Sequence, residues 1–144
     1  MNNAYYLLKF DDHWGLNNNY YNNINDYETM KMAYLLLLKV LYKRLLLIRS
    51  IGIVTAYQLS MHYDDRTKFF HIHANIQWNV KNYQISKWSK VLFSGPIVYK
   101  GVHRSRKRPL NIAATIKYVK YCSKGSIQEY SWRVAEFWRV LSKD

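Results

Sequence analysis

Cysteine occurs once in the 144 residues, as Cys122, so neither an internal disulfide framework nor a thiolate-rich metal site can be built. Glycine (5) and proline (2) are scarce, and no domain linker, internal repeat or low-complexity tract stands out. Acidic residues are few as well. The 9 Asp+Glu face 22 Lys+Arg, a formal charge of +13 and a pI near 9.8. Long uncharged apolar runs are missing too. The greasiest stretch, Met32 to Ile48, is broken by Lys39, Lys43 and Arg44, far short of the ~20 residues a membrane helix needs. The opening Met1-Asn2-Asn3 lacks the basic region, apolar run and small-residue cleavage site of an export signal. The expectation is a soluble protein, with no membrane partner, that works inside a cell.

What is present points to one folded domain spanning residues 1–144. The chain is 49% hydrophobic and 22% charged, enough to bury a core, which excludes disorder for most of it. The positive charge is uneven. From Ile72 to Asp144 there are 14 basic and 3 acidic residues, against 8 and 6 in the preceding half. A polyanion engaged by the second half is the first partner this imbalance suggests.

Along the chain, Ala4 to Phe10 reads as a buried strand and the Asn-rich stretch Asp11 to Asp26 as a loop. Glu28 to Arg49 reads as a helix, with Tyr34, Leu37, Leu38, Leu41, Leu45 and Ile48 on one apolar face. Ser50-Ile51-Gly52 ends it. Ile53 to Tyr63 and Phe69 to Val80 read as strands of a hairpin turning through Asp64 to Lys68. Tyr83 to Phe93 reads as a helix, Ile97 to Val102 as a short strand, and His103 to Pro109 as a basic loop. Ile112 to Ser123 reads as a helix stopped at Gly125, and Ser126 to Leu141 as a closing helix with Trp132, Phe137 and Trp138 in the core. The order β-α-β-β-α-β-α-α predicts an α+β fold, ferredoxin-like or RRM-like. In it an antiparallel sheet carries helices on one face and leaves the other face free for a ligand.

His71-Ile72-His73 places two imidazoles on one face of a strand, because side chains two apart point the same way. The plainer reading is two strand histidines with local hydrogen bonds; the sharper one is a nest for a divalent cation. A turn centred on Asp65-Arg66 would set His62 opposite Phe69, Ser60 opposite His71 and Gln58 opposite His73, all on the imidazole face. Gln58 would then offer a carbonyl oxygen, and His62 a third nitrogen. Such a nitrogen-and-oxygen set suits Mn²⁺ or Mg²⁺ completed by a phosphate, with zinc as the option if three nitrogens bind. Farther on, Lys117 lies four before Tyr121 and Lys124 three after, so a helix brings both ammonium groups beside one phenol. Cations there favour the ionised phenol and can hold a phosphate. Amphipathic packing accounts equally well for Tyr118.

Taken together, these residues resemble the HUH endonucleases, and most closely the rolling-circle replication initiators (Rep nickases) of small plasmids and single-stranded DNA viruses. Phe70-His71-Ile72-His73-Ala74-Asn75-Ile76-Gln77 looks like that family's His-hydrophobic-His strand. Tyr121-Cys122-Ser123-Lys124 looks like its Tyr-x-x-Lys motif. The resemblance covers about the whole chain, but its specificity lies in roughly ten residues. One departure is informative: where many such initiators carry Glu as third metal ligand, Gln58 stands here, with His62 as rival.

The resemblance implies metal-dependent nicking and joining of single-stranded DNA at a replication origin, through a covalent 5′-phosphotyrosine. Tyr121 would be the nucleophile, with Tyr118 as backup, and Lys124 would orient it or neutralise charge on the phosphate. His71, His73 and Gln58 would hold Mn²⁺ or Mg²⁺. Arg104, Arg106, Lys107, Arg108 and Lys117 would contact backbone phosphates. A helicase and polymerase would come from the host or from separate chains. Three further readings stay open, one of them a structural accessory protein that uses its charge merely to coat nucleic acid. A single-tyrosine HUH transposase would need a Gln near the tyrosine, and Gln128 lies beyond the Gly125 stop. A non-catalytic, basic RRM-like binder of single strands would be indifferent to loss of Tyr121.

Overall fold

The computed structural model describes residues 2–9, 27–66, 68–93, 102–104 and 112–134; for 2–9, 69, 82, 102–104, 112–116 and 118 it describes the backbone alone. The elements in order are β1 (Asn2–Lys9), α1 (Tyr27–Ser50), β2 (Val54–Asp64), β3 (Phe69–Trp78), α2 (Asn82–Leu92), β4 (Val102–Arg104), α3 (Ile112–Ser123) and β5 (Gln128–Trp132).

The apolar spacing of α1 is realised as predicted: Tyr34, Leu37, Leu38, Leu41, Leu45 and Ile48 are all buried. Each buried leucine contributes on the order of 2 kcal/mol relative to exposure. The helix stops where backbone chirality changes. Gly52 takes φ +83, its N–H donates to Arg49 O (2.9 Å), and the Ile53 N–H donates to Ile48 O (3.1 Å). That pair of bonds satisfies terminal carbonyls and turns the chain into β2.

The five strands lie in the order β4-β1-β3-β2-β5, and every neighbouring pair is antiparallel. The first four reproduce a split β-α-β-β-α-β arrangement, so the protein is an α+β structure compatible with a ferredoxin-like fold. On one face Leu59, Met61, Ile72, Ala74 and Ile76 pack into the core with α1. By alternation Gln58, Ser60, His62, His71, His73 and Asn75 project from the other face.

Four expectations require correction. The first concerns the hairpin register. The structure pairs His62 with His71, Ser60 with His73 and Gln58 with Asn75, two residues away from the expected alignment. A two-residue loop needs left-handed backbone at both positions, which Arg66 does not favour. The chain instead turns over four residues: Lys68 takes φ 60, its N–H reaches Asp64 O (2.8 Å), and the Arg66 N–H reaches Asp64 Oδ1 (2.9 Å). A shift of two preserves the face, so the imidazoles and their neighbours still point together.

The second correction concerns residues 126–132, expected in a helix, where Gln128–Trp132 form β5 on the edge of β2. Gly125, at φ +72, reverses the chain after α3, and Glu-Tyr-Ser-Trp alternates as a strand does. Unpaired edge groups of β2 gain partners this way. Trp132 is accordingly 41% exposed rather than core; Phe137 and Trp138 lie outside the described residues. Third, Val102 is in a strand as expected, but His103 and Arg104 continue it as β4 and are not in a loop; residues 97–101 and 105–109 lie outside the described residues. Fourth, the second sheet face is not left free, because α3 docks on it.

Candidate active site

Docking of α3 follows from its last turns. Val119 and Cys122, three apart, are buried, while Lys117, Lys120, Tyr121, Ser123 and Lys124 are exposed. Side chains of β2 bond carbonyls of those turns, among them Cys122 O, which has no helical donor so close to the helix end. Gln58 Nε2 donates to Val119 O (3.1 Å), and the His62 Nε2 edge bonds Cys122 O. The same Gln58 Nε2 donates to Glu129 Oε1 (2.7 Å), and Glu129 Oε2 accepts from Ser123 Oγ (3.1 Å). Gln58 Oε1 in turn accepts from Asn75 Nδ2 (2.8 Å). Gln58 and Asn75 are buried, so this network ties α3, β2, β3 and β5 at one point.

The consequence is the position of Tyr121. Its ring is 65% exposed, and its centroid lies 6.3 Å from that of His73, edge-on at 81°. His73 in turn lies 5.2 Å from His62, also edge-on. Phenol and imidazoles therefore face one region of the sheet, beside the helix end. Lys117 and Lys124 are exposed on the same helix and just past its end, as the spacing requires. Tyr118 lies on the backbone of α3, one turn earlier.

Burial, together with the neighbouring His62 and His71 rings, pushes the His73 pKa from its ordinary 6.5 down to about 4. His73 is thus neutral near pH 7, the form that offers a lone pair. His62, by directing Nε2–H at a carbonyl oxygen, leaves Nδ1 of the neutral ring as the acceptor nitrogen. His71 Nε2 lies 3.7 Å from Asp64 Oδ2, too long for a hydrogen bond but close enough to bias which ring nitrogen carries the proton.

The donor chemistry of His62, His71 and His73 fits a divalent cation, with the His62 imidazole oriented by a carbonyl from outside. Among the described residues, though, no three His, Cys, Asp or Glu side chains are already gathered into a metal-holding group. Gln58, the expected third ligand, sits opposite Asn75, one pair beyond Ser60 and His73, with its amide engaged at both ends. His62 stands directly opposite His71.

Of the expected phosphate contacts, Arg104 lies in β4 opposite Tyr6, and Lys117 on α3; Arg106, Lys107 and Arg108 fall outside the described residues. The sequence pattern missed Glu129, Ser123 and Asp64. Only the period-two alternation of residues 129–132 could have signalled Glu129, by marking β5. Among the described residues, no helix is long and apolar enough to cross a membrane. In comparisons with known proteins, no family model, no curated protein and no solved structure matches the chain.

Proposed function

We propose that the protein is a nicking and joining enzyme for single-stranded DNA, with the HUH architecture of rolling-circle replication initiators. The observation that carries this reading is the meeting of an exposed Tyr121 with the His73 imidazole, 6.3 Å between ring centroids, on a helix fastened to the imidazole face. A phenol open to solvent can reach a substrate phosphate, whereas a buried one could not.

In the proposed reaction Tyr121 Oη attacks the phosphorus of a DNA phosphodiester in line and loses its proton. The bond to the 3′-oxygen breaks, and that oxygen takes up a proton as the leaving 3′-hydroxyl. The product is a 5′-phosphotyrosine. Attack by another 3′-hydroxyl reverses the step, so no nucleotide triphosphate is needed. His71 and His73 would hold Mn²⁺ or Mg²⁺, and the register and tautomer of His62 favour it over Gln58 as third donor. When bound, such a cation polarises the non-bridging phosphate oxygens. Lys117 on the helix of Tyr121 and Lys124 just past its end would offset charge gathering on the phosphate. Gln58 and Glu129 then act by holding the helix end against the sheet.

The test mixes the protein with pooled single-stranded oligonucleotides and Mn²⁺ and resolves the products on a denaturing gel. A slow-migrating protein–DNA adduct is expected, lost with Tyr121→Phe and with EDTA. An adduct that survives Tyr121→Phe but not Tyr118→Phe would assign the wrong nucleophile. Tight single-strand binding with no adduct under any metal would instead favour a non-catalytic binder.

A further inference from the structure

On the face that carries α1, two rows of side chains meet. Tyr42 and Arg49 lie seven apart on α1, about two helical turns, and Tyr130 and Trp132 lie two apart on β5. Tyr42 and Tyr130 stack at 4.1 Å with their planes 10° apart. One rung outward, Arg49 Cζ lies 4.1 Å from the centre of the Trp132 ring. The inner rung is partly covered, while the outer one opens to solvent, with Trp132 41% exposed. Arg133 brings a second guanidinium to 5.9 Å from the same ring, and does so from a left-handed backbone at φ 52, which a long side chain rarely adopts.

We propose that Trp132, with Arg49 and Arg133, is a platform for an unpaired nucleotide of single-stranded DNA, separate from the tyrosine site. An indole face takes any base by stacking, and a guanidinium plane beside it can itself stack on a base. The remaining guanidinium N–H groups suit phosphate oxygens, in a fork that lysine cannot offer. The net charge of +13 supplies the long-range attraction for a polyanion. Place in the fold sets the role. Trp132 pairs with Tyr57 at the end of the edge strand, on the sheet face opposite the imidazoles. It therefore holds DNA that runs past the edge, not the nucleotide at Tyr121. The choice of DNA as ligand rests on the function proposed above; the platform's chemistry does not.

The experiment measures binding of a labelled mixed-sequence strand of about 16 nucleotides by fluorescence anisotropy, in EDTA so that no cutting occurs. Trp132→Ala is expected to weaken binding about tenfold, and Trp132→Phe to recover most of it. Adduct formation at saturating DNA should be the same for Trp132→Ala and the native chain. Native affinity in Trp132→Ala overturns the platform. So does equal weakening by Ala and Phe accompanied by lowered melting temperatures, since the ring then only fastens β5 to α1. Tighter binding of the same strand as RNA, with the same Trp132 dependence, overturns the DNA assignment. If Trp132 dependence holds while the native chain forms no adduct, the nicking reading fails and the platform stands.

Discussion

Acidification should weaken the fold through His73 in a way that can be isolated from all other groups. Its pKa is pushed to about 4 in the folded protein by burial and by the His62 and His71 rings, against 6.5 ordinarily. The unfolded chain therefore takes up a proton at His73 before the folded one does. Stability from this group is complete above about pH 6.5, declines as pH falls toward 4, and levels off below. Each unit of difference is worth 1.36 kcal/mol, so the gap of roughly two and a half units corresponds to about 3 kcal/mol. That is a sizeable part of the ~5–15 kcal/mol typical of a domain, and at ~3 °C per kcal/mol it lowers the melting temperature by about 10 °C. Urea and thermal melts of the native chain and of His73→Asn, each at pH 7 and pH 4, provide the assay. The packing cost of the substitution is common to both pH values and cancels. The native chain should lose about 3 kcal/mol more than the variant between the two. Equal losses would mean that His73 is not held neutral, and the case for a ready lone pair at that position would fall with it.

Three further outcomes follow from named contacts. Gln58→Ala removes the partner of Asn75 Nδ2 and Glu129 Oε1 and the side-chain donor to Val119 O, so denaturant melts should show a loss of about 2–3 kcal/mol. In isothermal titration with Mn²⁺, His62→Ala should reduce affinity more than Gln58→Ala, and Asp64→Asn should reduce it ~10-fold; a larger effect at Gln58 would restore it as the ligand. Gly52→Ala meets no atom within 4 Å but must adopt φ +83, so its cost is backbone strain alone, about 1–2 kcal/mol by urea denaturation; an unchanged midpoint would show that the helix stop is not strained.

The sequence by itself determined α1 and its buried stripe, the β2–β3 hairpin, α3 over Ile112–Ser123, and the pairing of His71 with His73 on one strand face. These depend on local periodicity: 3.6 residues per turn in a helix and 2 in a strand, read directly from residue order. Register lay outside that reach, because the number of loop residues depends on which of them tolerates a left-handed backbone, and Lys68 carries no obvious mark of it. Strand β5 was equally hidden, since its pairing energy comes from the distant edge of β2 and its stacking from Tyr42. Only the tertiary structure, by docking α3 on the imidazole face through Gln58 and His62, decided that Tyr121 stands beside His73. Forty-eight positions separate those two residues. Their proximity is made by hydrogen bonds to helix-end carbonyls, a type of contact that no local pattern encodes.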